Sequence, residues 1–186
     1  MINEQLIIEL IKDNNKDKAL TMLYEELAPQ MLALVFRYVG DEEVSKDIAQ
    51  DVFIKVYDSF GKFEYRGLGK MVAWIKRICI NMSLNYLKSY HVLNVELSDT
   101  IEESGIEDNE SDIELLYDIN LEDLTRLIAN LPEGYRTILN LYAIEGYSHK
   151  EIATLLEIKE GSSASQYHKA KALLKRRILE WTKREK

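Results

Sequence analysis

The feature that most constrains this chain is an acidic stretch at residues 95–123, which carries 12 Asp and Glu residues and no Lys or Arg. Like charges at this density repel one another, and the first half of the stretch has few apolar side chains, so a packed fold is disfavoured there. The chain has 186 residues, 46% of them hydrophobic, which is enough for two small buried cores. The sequence therefore predicts a folded domain at residues 1–94, an acidic linker at residues 95–123 and a second domain at residues 124–186.

The net charge of -8 hides an uneven distribution. Residues 1–94 carry a net charge of -1, the linker carries -12, and residues 124–186 carry +5. Phosphate groups respond to local charge rather than to the sum over the chain. The acidic total therefore does not exclude nucleic acid as a partner, and the C-terminal domain is a basic module.

Helical periodicity runs through both domains, and only 2 Pro and 8 Gly interrupt it. Apolar residues recur three and four positions apart without a hairpin signal, so the sequence predicts an all-α fold. Pro29 is expected to start or kink the second part of its helix. The predicted helices are Ile2–Lys12, Lys16–Tyr38, Glu42–Phe60, Lys70–Tyr90, Leu121–Asn130, Pro132–Gly146, Ser148–Leu156 and Ser162–Thr182.

Several classes of protein are disfavoured by what the sequence lacks. Cys79 is the single cysteine, which excludes an intrachain disulfide framework and fits a reducing cytoplasm. The N-terminus does not resemble a signal peptide, and no apolar run approaches the roughly 20 residues that span a bilayer, so we expect a cytoplasmic protein without membrane insertion. His91, His149 and His168 form no ligand pattern, and no phosphate-binding glycine loop or nucleophile elbow occurs. We therefore expect no enzyme, cofactor or metal site.

The basic module contains a predicted helix-turn-helix. Ser148 and Glu151 are spaced as a capping box, residues 157–159 form a short turn, and a longer helix starts near Ser162. The face of that helix opposite Leu174 is expected to point outward, with hydroxyls that can approach base edges and cations that can neutralise phosphates. A solvated helix surface is the alternative interpretation. The candidate DNA-binding residues are Ser162, Ser165, Gln166, His168, Lys169 and Arg176.

A second candidate DNA surface lies on the predicted helix Lys70–Tyr90. Its core face is expected to contain Met71, Ile75, Ile78, Cys79, Met82 and Tyr86. Beside this face runs a stripe of cations, amides and one aromatic residue, in which Trp74 either stacks on an unpaired base or packs at the edge of the core. The stripe, together with two residues of the preceding loop, gives the candidates Tyr65, Arg66, Lys70, Trp74, Arg77, Asn81, Asn85 and Lys88.

The predicted helix Glu42–Phe60 shows apolar residues away from its core side. Ile48, Val52 and Val56 are expected to face the core. A helix with apolar groups off its core face often meets another protein, although ordinary surface is the alternative that periodicity alone favours. The candidate protein-binding residues are Asp47, Gln50, Asp51, Ile54 and Tyr57.

These motifs resemble the extracytoplasmic-function branch of the sigma-70 family over nearly the whole chain. DEEVSKDIAQDVFIKVYDSF is similar to the polymerase-binding helix of that family's region 2, and KFEYRGLGKMVAWIKRICINMSLNYLKS is similar to the adjoining promoter-melting segment. LPEGYRTILNLYAIEGYSHKEIATLLEIKEGSSASQYHKAKALLKRRI is similar to region 4, which reads the minus-thirty-five element. The two blocks in this order, joined by a linker, are typical of the family.

The resemblance implies a role for each surface. The segment Asp47–Tyr57 would bind the clamp helices of the largest subunit of core RNA polymerase, whose flap is a further contact. The loop Lys62–Gly69 and the stripe around Trp74 would capture an extruded base of the minus-ten element, which offsets an unstacking cost of a few kcal/mol. The acidic linker would thread toward the RNA path, or act as a solvated tether. Family members are commonly held inactive by an anti-sigma factor.

Two positions depart from the family pattern. Glu157 lies in the turn of the helix-turn-helix, where the family usually has glycine, and a positive φ there would cost about 1 kcal/mol or more. Ala164 lies where the family usually carries Lys or Arg, so a DNA contact is not expected at that position.

Two other functions remain open from the residues alone. A stand-alone helix-turn-helix regulator would bind duplex DNA tightly without polymerase, as a dimer on paired half-sites. A helical adaptor without a DNA role would leave the basic stripe and the turn unexplained. A sigma factor, by contrast, would bind a promoter weakly alone and specifically together with core polymerase.

Overall fold

The computed structural model describes residues 2–89 and 119–185, and these residues form helices without a β-strand. The prediction of an all-α fold is confirmed. Residues 90–118, which hold the end of the predicted helix Lys70–Tyr90, His91 and most of the predicted acidic linker, lie outside the described residues. The chain divides into two compact units, Met1–Ser89 and Tyr90–Lys186.

The first unit contains four α-helices, whose ends are set by local capping residues. The side chain of Asn3 accepts a hydrogen bond from the Leu6 amide at 3.1 Å, and that of Asp41 accepts one from the Val44 amide at 2.9 Å. Gly40 ends the second helix in the left-handed conformation, at φ 77°. The helices are α1 (Glu4–Lys12), α2 (Lys16–Val39), α3 (Glu42–Ser59) and α4 (Lys70–Ser89), with a 3₁₀ turn at Phe60–Lys62.

The core of the first unit lies where α2, α3 and α4 pack against one another. Pro29 lies inside α2, which continues through it as one helix from Lys16 to Val39. Apolar side chains from all three helices are almost completely buried, as is Phe60 in the 3₁₀ turn. Central members of the core are Leu23, Met31, Val35, Tyr38, Val52, Val56, Met71, Ile75, Cys79 and Leu87.

The core face of α4 differs from the predicted one. Ile78, Met82 and Tyr86 are only half-buried. The buried face of α4 is wider than the predicted one and is rotated away from it, because α4 packs against both α2 and α3 rather than against one helix. The buried residues are Met71, Ile75, Cys79, Ile80, Ser83, Leu84 and Leu87.

The second unit is built around a core to which three of its helices contribute, at residues 121–129, 133–139 and 160–185. The predicted helix Pro132–Gly146 is instead an α-helix that passes into a single π turn at Asn140–Ile144, in which the Glu145 amide donates to the Asn140 carbonyl. The core contains Ile128, Leu131, Tyr135, Leu139, Ala170 and Leu173. The helices are α5 (Leu121–Ala129), α6 (Glu133–Leu139), α7 (His149–Leu156) and α8 (Glu160–Glu185).

Two further features of the described residues bear on function. None of the helices in residues 2–89 and 119–185 combines the length and the apolar character that crossing a bilayer requires. The same residues contain no group of three or more His, Cys, Asp or Glu side chains that could hold a metal ion.

Candidate DNA-binding and protein-binding surfaces

The loop before α4 is shaped by two glycines. Gly67 adopts φ 115° and Gly69 adopts φ 78°, both in the region that side chains with a Cβ atom rarely occupy. The Gly67 carbonyl accepts a hydrogen bond from the Lys70 amide at 3.3 Å, so the chain turns directly into α4. The loop thereby brings Phe63 beside Trp74 in the first turns of that helix.

Trp74 packs against the loop while remaining partly exposed. Its ring centroid lies 4.6 Å from that of Phe63, with an angle of 35° between the ring planes. This contact supports the interpretation that Trp74 packs at the edge of the core. Because the Trp74 side chain is only half-buried, it also keeps surface with which it can contact a partner.

The polar members of the predicted stripe lie off the core of the first unit. Arg66 forms an ion pair with Glu64 at 2.8 Å, in which both side chains are largely exposed, so the pair adds little stability. Tyr65 is half-buried. The stripe therefore presents cations and amides to solvent on one flank of α4, where they can bind phosphate and base edges. The exposed members are Arg66, Lys70, Arg77, Asn81, Asn85 and Lys88.

A pocket that the sequence did not indicate lies beside this loop. Its volume is about 270 Å³, and residues of α1, the 3₁₀ turn and the loop form its walls. The sequence predicted a helix at Ile2–Lys12 but gave no indication of the pocket beside it. The lining residues are Ile8, Ile11, Lys12, Phe60, Phe63 and Tyr65.

The predicted protein-binding surface of α3 is exposed along most of its length. Asp47, Gln50 and Asp51 face solvent, and Ile54 is 59% exposed although it is apolar. Tyr57 is half-buried, and its hydroxyl donates a hydrogen bond to Asp17 of α2 at 2.9 Å. That hydrogen bond, with the charge of the Asp17 carboxylate, raises the pKa of Tyr57. Ile54 is thus the apolar centre of an otherwise polar patch.

The capping box at the start of α7 is confirmed. The Ser148 hydroxyl accepts from the Glu151 amide at 3.3 Å, and the Glu151 carboxylate accepts from the Ser148 amide at 2.8 Å. The hydrogen bonds from the Ser148 hydroxyl and amide lower the pKa of Glu151. The start of the helix-turn-helix is therefore fixed by residues three positions apart.

The turn between α7 and α8 contains the positive φ that the family comparison anticipated. Glu157 adopts φ 59° and ψ 39°, and the following Ile158 amide donates to the Ala153 carbonyl at 3.0 Å. A left-handed conformation at a residue with a Cβ atom costs about 1 kcal/mol or more. The turn therefore holds its shape despite local strain at Glu157.

The outward face of α8 is close to the predicted one, with one correction. Ser165, His168 and Arg176 are exposed, and Ser162 and Lys169 are half-buried. Gln166, by contrast, is only 4% exposed, because α8 packs against both α6 and α7 and that contact closes over this side of the helix. Gln166 is therefore unavailable for the DNA contact expected of it.

An aromatic cluster behind the helix-turn-helix was not predicted. The rings of Tyr142 and His149 are stacked, with 4.2 Å between their centroids and 7° between their planes. The ring centroids of Tyr142 and Tyr167 are 4.5 Å apart. His149 Nδ1 and the hydroxyl of the buried Ser163 are 3.0 Å apart. The cluster joins the π turn, α7 and α8. Its geometry depends on the π turn, for which the sequence carries no local signal.

Comparisons with known proteins match both units of the chain. Residues 23–91 match the family model described as Sigma-70 region 2, and residues 121–174 match the one described as Sigma-70, region 4. The chain is 30% identical to the RNA polymerase sigma-H factor of Pseudomonas aeruginosa over 90% of each chain. It is 27% identical to the ECF RNA polymerase sigma-E factor of Haemophilus influenzae, over 95% of this chain and 96% of that protein. Identity to the Escherichia coli K12 sigma-E factor is 25%, over 95% of each chain.

Proposed function

This chain belongs to the sigma-70 family of RNA polymerase sigma factors, in its extracytoplasmic-function branch, and we propose which surface of each unit binds polymerase or promoter DNA. It is a sigma factor that binds RNA polymerase and recognises promoters for transcription initiation. The observation that carries this conclusion is the occurrence of both region 2 and region 4 in order along one chain. We also propose that the two domains span residues 1–94 and 124–186 and that residues 95–123 form the acidic linker between them.

In the first unit, the exposed surface of α3 binds the clamp helices of the largest polymerase subunit. Support comes from the mixed character of that surface, where carboxylates and an amide surround Ile54, which is 59% exposed. Interfaces of this kind place an apolar anchor within a polar rim. The residues assigned to this contact are Asp47, Gln50, Asp51, Ile54 and Tyr57.

The flank of α4 and the preceding loop open the promoter by trapping a base of the minus-ten element. Stacking on an aromatic ring offsets the few kcal/mol needed to unstack the base. The half-exposed ring of Trp74 and the exposed cations and amides beside it are the groups such a capture needs. The residues assigned to this role are Tyr65, Arg66, Lys70, Trp74, Arg77, Asn81 and Lys88.

In the second unit, α8 reads the minus-thirty-five element as the recognition helix. Support comes from the capped α7, the tight turn at Glu157 and the outward position of polar and basic side chains on α8. Cations along the helix neutralise phosphates, and the hydroxyls near its start approach base edges. The residues assigned to this contact are Ser162, Ser165, His168, Lys169 and Arg176.

The remaining partners follow from the same family membership. The second unit also contacts the polymerase flap, and the acidic linker either lies toward the RNA path or serves as a solvated tether. An anti-sigma factor is the expected inhibitor. The protein acts in the cytoplasm, as a transcription factor rather than an enzyme.

A binding experiment distinguishes this function from that of a stand-alone regulator. The full chain is titrated against a labelled promoter duplex, alone and with core polymerase, at moderate salt. We expect weak binding by the chain alone and specific binding once core polymerase is present. Tight duplex binding that core polymerase does not change would instead indicate a dimeric helix-turn-helix regulator.

A further inference from the structure

The residue before α4 cannot cap that helix with a side chain. The residue that precedes the helix is Gly69, which has no side chain to accept a hydrogen bond. The first amide groups of any helix lack partners within the helix, and a nearby side-chain oxygen or carboxylate usually satisfies one of them. A side-chain acceptor for the first turn of α4 therefore cannot come from the N-cap position.

Glu4 of α1 supplies that acceptor across 68 positions of sequence. Its Oε1 atom accepts a hydrogen bond from the Val72 amide at 3.3 Å. The Glu4 side chain is only 2% exposed, although most glutamates lie at the surface. A carboxylate is stabilised at a helix N-terminus by the amide groups and by the helix dipole, which offsets part of the cost of its burial. Ile7, completely buried one turn later, helps to anchor α1 in the unit.

We propose that Glu4 is a positioning residue for promoter opening, which acts by capping α4 from a distance. The capped turn begins at Lys70 and is followed by Trp74. Both residues are assigned above to capture of the extruded base, so this inference rests on the proposed function. The family model matches the chain only from residue 23, so α1 lies outside the matched segment. By this proposal, α1 contributes to promoter opening through Glu4.

The fluorescence of Trp74 measures this positioning without any DNA. The chain contains 2 Trp residues, Trp74 and Trp181, so Trp181→Phe leaves Trp74 as the only Trp. In that background we compare Glu4→Ala, Glu4→Gln and, as a matched control, the exposed Glu9→Ala on the same helix. We expect Glu4→Ala to raise acrylamide quenching of Trp74, and Glu4→Gln, which keeps an acceptor for Val72, to restore most of the protection.

Open-complex formation then measures the functional consequence. The same variants are assembled with core polymerase, and unpaired thymines at the promoter are detected with permanganate, while core binding is measured separately. Loss of a helix cap predicts an open-complex yield about three- to ten-fold lower for Glu4→Ala, with core binding unchanged. If Glu4→Ala does not fold, Glu4→Gln carries the test, with a smaller loss of about two-fold because the charge at the helix N-terminus is removed.

Two outcomes would overturn the proposal. One is a Trp74 quenching profile of Glu4→Ala that equals that of Glu9→Ala, which would show that Glu4 does not hold the start of α4. The other is a loss of core binding equal to the loss of open complexes, which would show a general structural role. Failure of the base-capture assignment would look different, because Trp74→Ala would then leave promoter opening intact while Glu4→Ala still changed the fluorescence.

Discussion

The two surfaces that we propose bind DNA are built in opposite ways. The helix-turn-helix of the second unit relies on local contacts, with a capping box between Ser148 and Glu151 and a hydrogen bond from Ile158 to Ala153. The surface on α4 relies on distant contacts, since Phe63 packs on Trp74 and a glutamate near the N-terminus caps the helix. The helix-turn-helix is therefore determined by short sequence motifs, whereas the surface on α4 depends on how the whole first unit packs.

The largest expected effect concerns the α4 surface alone. Trp74→Ala should lower the yield of open complexes by roughly ten-fold or more, because base–aromatic stacking contributes about 1–3 kcal/mol. Permanganate reactivity of the promoter checks this result. Asn81→Ala should act in the same direction, and Trp74→Phe, which keeps an aromatic ring, should retain most of the activity.

Binding to core polymerase should be unchanged in these variants. An equal loss of promoter opening and core binding would contradict the separation between the flank of α4 and the surface of α3. Thermal unfolding of each variant provides the control for loss of the Phe63 contact.

The next effect separates α3 from both DNA surfaces. Ile54→Asp should weaken binding to core polymerase by about ten-fold or more, because an apolar anchor is replaced with a charge. Co-purification with core enzyme at moderate salt measures the change. The matched control is Leu6→Asp on α1. Leu6 is another apolar residue of the same unit and is 39% exposed. Equal losses for both variants would refute the assignment of the α3 surface.

A smaller effect is expected at the recognition helix. Lys169→Ala should weaken duplex binding by a few-fold and reduce the slope of log affinity against log salt by about one, because one phosphate contact is removed. Fluorescence anisotropy of a minus-thirty-five duplex across a salt series measures the slope. Lys18→Ala, on the exposed surface of α2, removes the same charge from the first unit and should leave the slope unchanged. An unaltered slope for Lys169→Ala would reject the phosphate contact.

The smallest effect compares two strained positions, one in each unit. Asn14 and Glu157 both adopt φ 59°. Glu157→Gly should stabilise the second unit by about 0.5–1 kcal/mol, because relief of the left-handed strain outweighs the extra chain entropy that glycine loses on folding. Asn14→Gly should change the stability of the first unit very little, because Asn tolerates this conformation. Thermal unfolding measures both, and equal shifts would show that the strain at Glu157 is not specific to its side chain.

What the sequence could predict follows the same division between local and distant contacts. The limits of α7 and the order of helices were accessible because caps and periodicity are local signals. The positive φ at Glu157 was raised only by the resemblance to a family that usually has glycine there. The burial of Gln166 was not accessible, because it depends on how α8 packs against α6 and α7. Arg136 is a similar case, since it counts as a positive charge of the basic module but is only 4% exposed, with a pKa lowered by burial.

The first unit shows the same limit at its candidate site. Periodicity placed the stripe of Lys70, Arg77 and Asn81 off the core, and Met71, Ile75 and Cys79 of the predicted core face are buried. The observed face is rotated away from Ile78, Met82 and Tyr86, because α4 packs against two other helices. The contact between Glu4 and Val72 joins residues 68 positions apart, and no pattern in one sequence indicates such a pair.

Transcription with purified components tests the central claim most directly. Core polymerase from the same organism is incubated with its genomic DNA fragments, with and without the full chain, and the transcripts are mapped. A sigma factor predicts new transcripts that begin at defined sites, and Trp74→Ala should abolish most of them while the variant still binds core enzyme. An unchanged set of transcripts after addition of the chain would contradict the account.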